Sequence, residues 1–239
     1  MEKLFISNRR ETQEELNNIY KELFNWNANK YKIDKFLSLI KESNNFCPSE
    51  RCKNKKCVLE ISCGNLDSEI MFIAEAPGRN GAERTKIPIY GDPSGDNFEN
   101  ILNKASFGKI GRKDIFITNA FLWNPTDING NNDKPTEEEI NKSLYFLEKQ
   151  IEIVDPKLII TLGKTAYETL GKISKLQEEC FSIKNMIGKI YNWNKKYLIS
   201  ILYHPSPRVI GVHRTIDEMI NDLRNVFREY IRIKNQCQY

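Results

Sequence analysis

The predicted fold depends most on the segment IMFIAEAPGRNGAERTKIPIYGDPSGD, which runs from Ile70 to Asp96. It begins with an apolar run, Ile70 to Ala74, that predicts a buried strand. A long turn rich in Gly, Arg and Asp follows, and a helix is expected from near Asn97. An ordinary strand–loop–helix crossover is one interpretation. Long loops are usually functional, however, and open α/β sheets bind ligands beyond the carboxyl ends of their strands, so we expect a site here.

The rest of the chain alternates apolar runs with amphipathic segments. Strands are predicted at Asp114–Thr118, Lys157–Leu162, Lys189–Trp193 and Tyr197–Leu202, the last two as a pair. Helices are predicted at Glu11–Leu23, Ile33–Ile40, Asn97–Lys104, Glu137–Val154, Thr165–Leu170 and Arg214–Ile231. This alternation is typical of a mostly parallel sheet with helices on both faces.

Length and composition indicate a globular chain. Its 239 residues suit one large domain or a domain with a small appendage, and 40% hydrophobic residues are enough for a core. We expect a helical cap and a four-cysteine metal loop at 1–65, packed as one unit with an α/β/α domain at 66–239. No apolar run suits a membrane span, and the N-terminus lacks a signal-peptide pattern, which predicts a cytoplasmic location. A net charge of +4 favours nucleic acid only weakly.

Four of the six cysteines are crowded into one segment, at Cys47, Cys52, Cys57 and Cys63. Clustered cysteines in a cytosolic chain are more often metal ligands than disulfides. Four thiolates suit either Zn or a [4Fe–4S] cluster. Four free or partly paired cysteines are the alternative. Cys180 and Cys237 are isolated from this segment.

Three segments in order along the chain resemble motifs of one family. They are APGRNGAERTKIPIYGDPSGD at 76–96, a segment from TNA at 118–120 to NDKPTEEE at 132–139, and HPSPR at 204–208. Together they resemble the uracil-DNA glycosylase superfamily, most closely its iron–sulfur families 4 and 5, over about Cys57 to Phe227. The resemblance implies a three-layer α/β/α sandwich with a central, mostly parallel four-stranded sheet. It also implies a monomeric enzyme that flips uracil, or a related deaminated base, out of DNA and excises it by hydrolysis, which starts base excision repair.

The resemblance assigns two catalytic residues. The imidazole N–H of His204 would stabilise the leaving base, and Asp92 would position water or stabilise the cationic sugar. A structural histidine and a turn aspartate are the alternatives. Glu75 and Asp96 are rival carboxylates, and Glu83 is a weaker one.

The remaining site residues follow from the same motifs. The predicted substrate-binding residues are Glu75, Ala76, Pro77, Gly78, Ile89, Tyr90 and Asn119. The predicted DNA-binding residues are Arg84, Ser206, Pro207, Arg208 and Arg214. The amide of Asn119 carries a donor and an acceptor, which suits the hydrogen-bonding edge of a base.

The chain departs from the family pattern at three positions. Ile89 stands where the family stacks an aromatic ring on uracil, with Tyr90 beside it. Trp123 and Ser143 stand where the family has its later pair of cluster ligands. All four metal ligands would then come from the N-terminal loop, as a [4Fe–4S] cluster or as Zn.

The sequence is also compatible with other functions. A glycosylase for another modified base and an inactive DNA-binding relative both fit the motifs. An unrelated α/β enzyme, such as a nucleotide hydrolase, is disfavoured because the chain has no P-loop and no G-x-G-x-x-G motif.

Overall fold

One sheet forms the centre of the computed structural model, which describes residues 11–174, 183–193 and 196–236. The strands are β1 Ile70–Ala74, β2 Phe116–Asn119, β3 Leu158–Leu162, β4 Ile190–Trp193 and β5 Tyr197–Leu202. Their order is β2-β1-β3-β5-β4, with β4 antiparallel to β5 and the other pairs parallel. The sheet therefore has five strands and not the predicted four, because the antiparallel β4 extends its edge.

Helices cover both faces of the sheet. They are α1 Gln13–Leu23, α2 Lys30–Asn44, α3 Ala82–Thr85, α4 Pro93–Ser106, α5 Glu137–Val154, α6 Lys164–Ser174, α7 Ile183–Met186 and α8 Ile216–Gln236. Successive residues of a strand point to opposite faces, so Phe72 belongs to the apolar cluster of α4 and α8, whereas Met71 and Ile73 belong to that of α2, α5 and α6. Every residue of β1 and β3 is buried, as expected for covered parallel strands. The fold is the predicted three-layer α/β class.

Helix α5 shows how local sequence sets an element. The hydroxyl of Thr136 accepts a hydrogen bond from the Glu139 N–H at 3.2 Å, and the Glu139 carboxylate accepts one from the Thr136 N–H at 2.8 Å. This reciprocal capping box satisfies two N–H groups that the first turn leaves unpaired. The helix begins and ends at the residues that the sequence predicts, Glu137 and Val154.

The N-terminal segment shares its core with the sheet. Phe24, Phe36 and Cys52 lie in the same apolar cluster as Met71 and Ile73. The division of the chain at residue 65 stays a prediction. Cys180, Cys237 and most of the predicted turn between β4 and β5 lie outside the described residues. Within the described ranges, no helix combines the length and apolar character that a membrane span needs.

Register brings the carboxyl ends of the parallel strands to one edge. Ala74 pairs with Asn119 across β1 and β2, and Leu162 pairs with Leu202 across β3 and β5. The residues that follow these ends in sequence are therefore neighbours in space.

Candidate active site

A cleft of about 540 Å³ opens at this edge of the sheet. Its walls come from the loops after β1, β2, β3 and β5. The lining residues are Ala74, Glu75, Ala76, Pro77, Gly78, Ala82, Ile89, Asp92, Ser94, Asn119, Asn132, Asp133, Lys134, Leu162, Gly163, His204, Ser206, Pro207, Arg208 and Val209. The volume is typical of a site for a small organic group. Both predicted catalytic residues and six of the seven predicted substrate-binding residues line it.

Asp92 lies at the N-cap of α4 and faces the cleft. Its Oδ1 atom accepts a hydrogen bond from the Gly95 N–H at 2.9 Å. Its Oδ2 atom lies so close to Gly81 that a Cβ there would be 2.3 Å away, and one at Gly78 would be 3.3 Å away. Any residue larger than glycine at position 81 would therefore displace the Asp92 carboxylate.

His204 follows β5 and is held from two sides. The N–H of Gly163, after β3, donates to the carbonyl of Leu202 at 2.8 Å, and the Asn97 amide of α4 donates to the Pro205 carbonyl at 2.9 Å. Burial lowers the pKa of His204 below its ordinary value, while the charges of Glu75 and Asp92 act to raise it. The imidazole is therefore neutral at pH 7, with one N–H available as a donor.

Glu75 is tied to the scaffold through its side chain and its backbone. The Thr165 hydroxyl of α6 donates a short hydrogen bond to Glu75 Oε2. The Glu75 carbonyl also accepts from the Phe121 N–H at 3.0 Å. Glu75 therefore holds the β1 loop against α6 through its carboxylate and against the segment after β2 through its backbone carbonyl.

Asn119 presents an unused donor to the cleft. The residue is 1% exposed, and its Nδ2 atom has no hydrogen-bond partner within the described part of the chain. A buried amide N–H without a partner is costly, and such groups in native proteins call for an explanation. A bound group with a carbonyl oxygen would supply the missing acceptor.

The segment from Asn132 to Lys134 forms a wall that the sequence interpretation missed. Asn132 Oδ1 accepts from the Arg79 N–H at 3.0 Å, which ties this segment to the β1 loop. Asp133 is paired with Arg51 at 2.6 Å. The available signal was the polar Asn- and Gly-rich stretch directly before the capping box of α5.

Three predicted residues do not line the cleft. Arg84 pairs with Glu11 at 3.0 Å, and Arg214 makes two hydrogen bonds to Asp222, at 2.6 and 2.9 Å. Tyr90 packs beside the small apolar cluster of α1, with the Arg112 guanidinium 5.4 Å from its ring centre. The rival carboxylates Asp96 and Glu83 are also absent from the cleft lining.

The four cysteines do not converge. Cys47 is exposed, whereas Cys52, Cys57 and Cys63 are buried in the core. Within the described residues, no three His, Cys, Asp or Glu side chains form a group that could hold a metal ion. Burial raises the pKa of Cys57 and of Cys63 to about 12, so both side chains are thiols in the absence of a metal. The arrangement does not fit the predicted [4Fe–4S] cluster or Zn.

Aromatic packing occupies the region beside this loop. The Trp123 ring is 5.7 Å from the ring of Phe46 and 5.9 Å from that of Phe146, and Trp123 is 1% exposed. The Ser143 hydroxyl donates to the Ile140 carbonyl of its own helix at 3.2 Å. The two positions where the family pattern has ligands therefore take part in packing and in a helix hydrogen bond.

Polar contacts fasten the same loop to the rim of the cleft. The Val58 N–H donates to the Leu122 carbonyl at 2.7 Å, and the Lys55 ammonium donates to the Asn124 carbonyl at 2.6 Å. Arg51 contacts both Asp133 and the buried Glu139. These bonds connect the cysteine loop to the segment after β2 and to the start of α5.

Comparison with known proteins agrees with this architecture. The sequence model of the Uracil DNA glycosylase superfamily matches residues 61–224. The chain is 38% identical over 168 residues to the Type-4 uracil-DNA glycosylase of Saccharolobus solfataricus, covering 68% of this chain and 72% of that relative. It is 26% identical over 172 residues to the Type-5 uracil-DNA glycosylase of Pyrobaculum aerophilum, covering 67% and 72%. The crystal structure of wild-type SMUG2 from Pedobacter heparinus shares the fold, with a TM-score of 0.53 at 16% identity over 82% of this chain and 98% of that one.

Proposed function

Because the chain belongs to the uracil-DNA glycosylase superfamily, we propose that it excises uracil, or a related deaminated base, from DNA by hydrolysing the N-glycosidic bond. The observation that carries the proposal is the convergence of Asp92, Asn119 and His204 on one cleft. A carboxylate, an amide donor without a partner among the described residues and a neutral imidazole are the groups that this reaction needs.

The target base has to leave the stack before its glycosidic bond can be reached. Once it lies in the cleft, Asn119 Nδ2 would donate a hydrogen bond to a carbonyl oxygen of the base. Uracil offers such an oxygen where cytosine has an amino group, so the unpaired donor favours uracil over cytosine.

In the proposed reaction the bond between C1′ and the base breaks, and its electron pair leaves with the base. The N–H of neutral His204 donates a hydrogen bond to the oxygen on which negative charge develops. The oxygen of a water molecule bonds to C1′. Asp92 Oδ2 orients that water, stabilises the cationic sugar and accepts the proton that the water loses, while solvent protonates the departed base.

Basic side chains at the mouth of the cleft suit the DNA backbone. Arg208 and Lys134 line the cleft and are exposed. Contacts from such side chains to phosphates position a duplex without reading its sequence. We propose that Ser206 and Pro207, between His204 and Arg208, lie against the DNA strand.

The proposal includes DNA as the partner of a monomer acting in the cytoplasm. No step runs through the cysteine loop, because its side chains do not fit the cluster predicted from the resemblance. Size-exclusion chromatography with light scattering, without and with an oligonucleotide, measures the oligomeric state.

The lining of the cleft also supports excision of deaminated bases other than uracil. No Phe, Tyr or Trp of the described residues lines the cleft, and Ile89 stands at the position of the family's stacking ring. Stacking on an aromatic ring contributes about 1–3 kcal/mol per base. Its absence favours a relative that accepts other deaminated bases.

Excision from labelled oligonucleotides tests these alternatives. The substrates carry uracil, hypoxanthine, xanthine or thymine opposite guanine, in single- and double-stranded form, and Asp92→Asn is the inactive control. Alkali-labile cleavage at uracil is the expected result. Cleavage only at another base would overturn uracil as the substrate. Tight binding to uracil-containing or abasic DNA without cleavage of any substrate would identify an inactive binding protein.

A further inference from the structure

Ile89 has an unusual backbone conformation for its residue type. Its φ angle is +50°, in the left-handed region. A β-branched residue is a genuine outlier there, and such conformations persist only where surrounding contacts hold them. Ile89 lines the cleft and also belongs to the apolar core under α4 and α8. The strained residue therefore lies at the boundary between core and site.

Arg112 supplies contacts that hold this conformation. It lies just before β2, is 8% exposed, and donates from Nη1 to the Pro88 carbonyl at 2.8 Å and from Nη2 to the Ile89 carbonyl. Its Nε atom donates to the Glu99 carboxylate of α4. A planar guanidinium can hold two carbonyl groups in fixed geometry, which a lysine ammonium does not reproduce.

The first turn of α4 closes on the same segment from the other side. A Cβ atom at Gly95 would be 2.8 Å from the Tyr90 Cα and 2.9 Å from the Ile89 carbonyl oxygen. The Arg112 guanidinium also lies 5.4 Å from the ring centres of both Tyr90 and Phe98. These contacts leave little space for residues 88–90 to adopt another path, and they hold the Tyr90 ring beside Arg112.

We propose that Arg112 is a positioning residue for base specificity, which holds the carbonyl groups of Pro88 and Ile89 and so fixes Ile89 in the wall of the cleft. Arg112 is buried and does not line the cleft, so it acts through Ile89 and not by touching the base. The inference rests on the proposed function for the identity of the substrate, but its geometry does not depend on that activity.

The first test is the ratio of kcat/KM for uracil to that for thymine in the Arg112→Met variant. This ratio does not depend on the fraction of folded enzyme. One methyl group in a pocket is worth about 10–200-fold in discrimination, so a loosened wall is expected to lower the ratio about tenfold. Arg232→Met is the matched control, because Arg232 bonds to Glu229 and Gln236 on the exposed side of α8. An unchanged ratio with a lower overall rate would overturn the proposal.

Arg112→Lys keeps the positive charge and is the variant to use if Arg112→Met does not fold. Because one ammonium group cannot hold both carbonyls, the same direction of change is expected. A wild-type ratio in Arg112→Lys would show that a positive charge at position 112 is sufficient for specificity. This result would overturn the proposal that the guanidinium positions Ile89 by holding both carbonyl groups.

A second test needs no activity. Ile89→Gly relieves the left-handed strain in the wild-type background, since glycine adopts positive φ readily. Without the Arg112 hydrogen bonds, residues 88–90 can relax to an unstrained conformation. Ile89→Gly then relieves no strain and only removes a buried side chain. We therefore expect Ile89→Gly to lower the denaturation midpoint more in Arg112→Met than in the wild type. Equal changes of the denaturation midpoint in the two backgrounds would overturn the proposal that Arg112 holds Ile89. A wild-type chain that cleaves no base would overturn only the proposed function.

Discussion

The Oδ1 atom of Asp92 accepts a hydrogen bond from the backbone N–H of Gly95 at 2.9 Å. One oxygen of this carboxylate therefore caps a helix, while the other faces the cleft. Capping depends on an oxygen acceptor and the proposed catalysis depends on negative charge, so substitutions can separate the two roles.

Asp92→Asn is expected to keep stability and lose activity. Asparagine caps helices about as well as aspartate, whereas alanine at an N-cap costs about 1 kcal/mol of stability. Loss of the charge is expected to lower kcat about 100-fold or more in both Asp92→Asn and Asp92→Ala. Excision kinetics and urea denaturation measure the two effects, with Asp217→Asn in the exposed first turn of α8 as the control. Near-normal excision by Asp92→Asn would exclude the carboxylate from the chemistry.

His204 is expected to contribute both to rate and to the pH dependence of stability. Removing one donor to a developing oxyanion lowers kcat by about 10²–10³, which is expected for His204→Ala with DNA binding retained. Burial lowers the pKa of His204 in the folded protein, so the unfolded chain binds more protons as pH falls below about 6.5. The stability that neutral His204 provides is present above this pH and is lost as pH falls toward the folded pKa.

The measurement is urea denaturation of the wild type and of His204→Gln across this pH range. The wild type is expected to lose stability relative to the variant as the solution becomes acidic. Parallel pH profiles would contradict the burial of a neutral imidazole.

Gly81→Ala is expected to displace Asp92, because the added Cβ would lie 2.3 Å from Oδ2 and 2.9 Å from the Tyr90 carbonyl. Activity is expected to fall toward that of Asp92→Asn, while binding to a DNA product changes less. Gly111→Ala is the matched control, since its Cβ would meet nothing closer than the Asp114 carboxylate at 3.8 Å. Equal activities of the two alanine variants would show that Asp92 can move without consequence.

Arg51→Met is expected to destabilise the protein strongly. Burial acts to raise the pKa of Glu139, but hydrogen bonds from Arg51 and Ser49 outweigh it and lower the pKa to about 2. Arg51 is 28% exposed and Glu139 is 4% exposed, so leaving this carboxylate without its partner is expected to cost about 1–3 kcal/mol, whereas loss of the exposed Arg232–Glu229 pair costs at most about 1 kcal/mol. Chemical denaturation of Arg51→Met and Arg232→Met compares the two sites. Similar midpoints would show that Glu139 finds other partners.

Metal analysis of the purified protein tests the cysteine loop. Because the four cysteines do not converge and Trp123 is packed between aromatic rings, we expect a colourless protein without bound iron or zinc. Elemental analysis after purification without chelators, together with an absorption spectrum, measures this. About one equivalent of zinc, or about four equivalents of iron with an iron–sulfur spectrum, that disappears in Cys52→Ser would refute the expectation.

Much of the scaffold could be predicted because its signals are local. The bounds of β1 and α5 follow from an apolar run and from a capping box, each contained in a few residues. The cleft edge followed from strand ends, since parallel strands deliver their loops to the same side. These features need no knowledge of distant contacts.

The parts that were missed depend on contacts between residues far apart in sequence. Asp133 reaches the cleft rim through Arg51, which lies 82 positions earlier. The Tyr90 ring packs 5.4 Å from the guanidinium of Arg112, which lies beyond the intervening helix α4. The cysteine spacing is compatible with a metal site, but spacing alone does not reveal which side chains the surrounding core separates. Local sequence patterns therefore could not predict which side chains tertiary packing brings into contact.

The strand order has a further consequence, for the kinetics of folding. The central strand β3 lies between β1 and β5, and the pairings of β3 join segments many tens of residues apart. Such non-local pairings form slowly, because chain entropy is lost before the contacts compensate for it. Glu75 follows β1 and Asn119 ends β2 on one side of β3, and His204 follows β5 on the other. Helical signal during refolding would thus return before catalytic competence, which can exist only after the two halves of the sheet have joined.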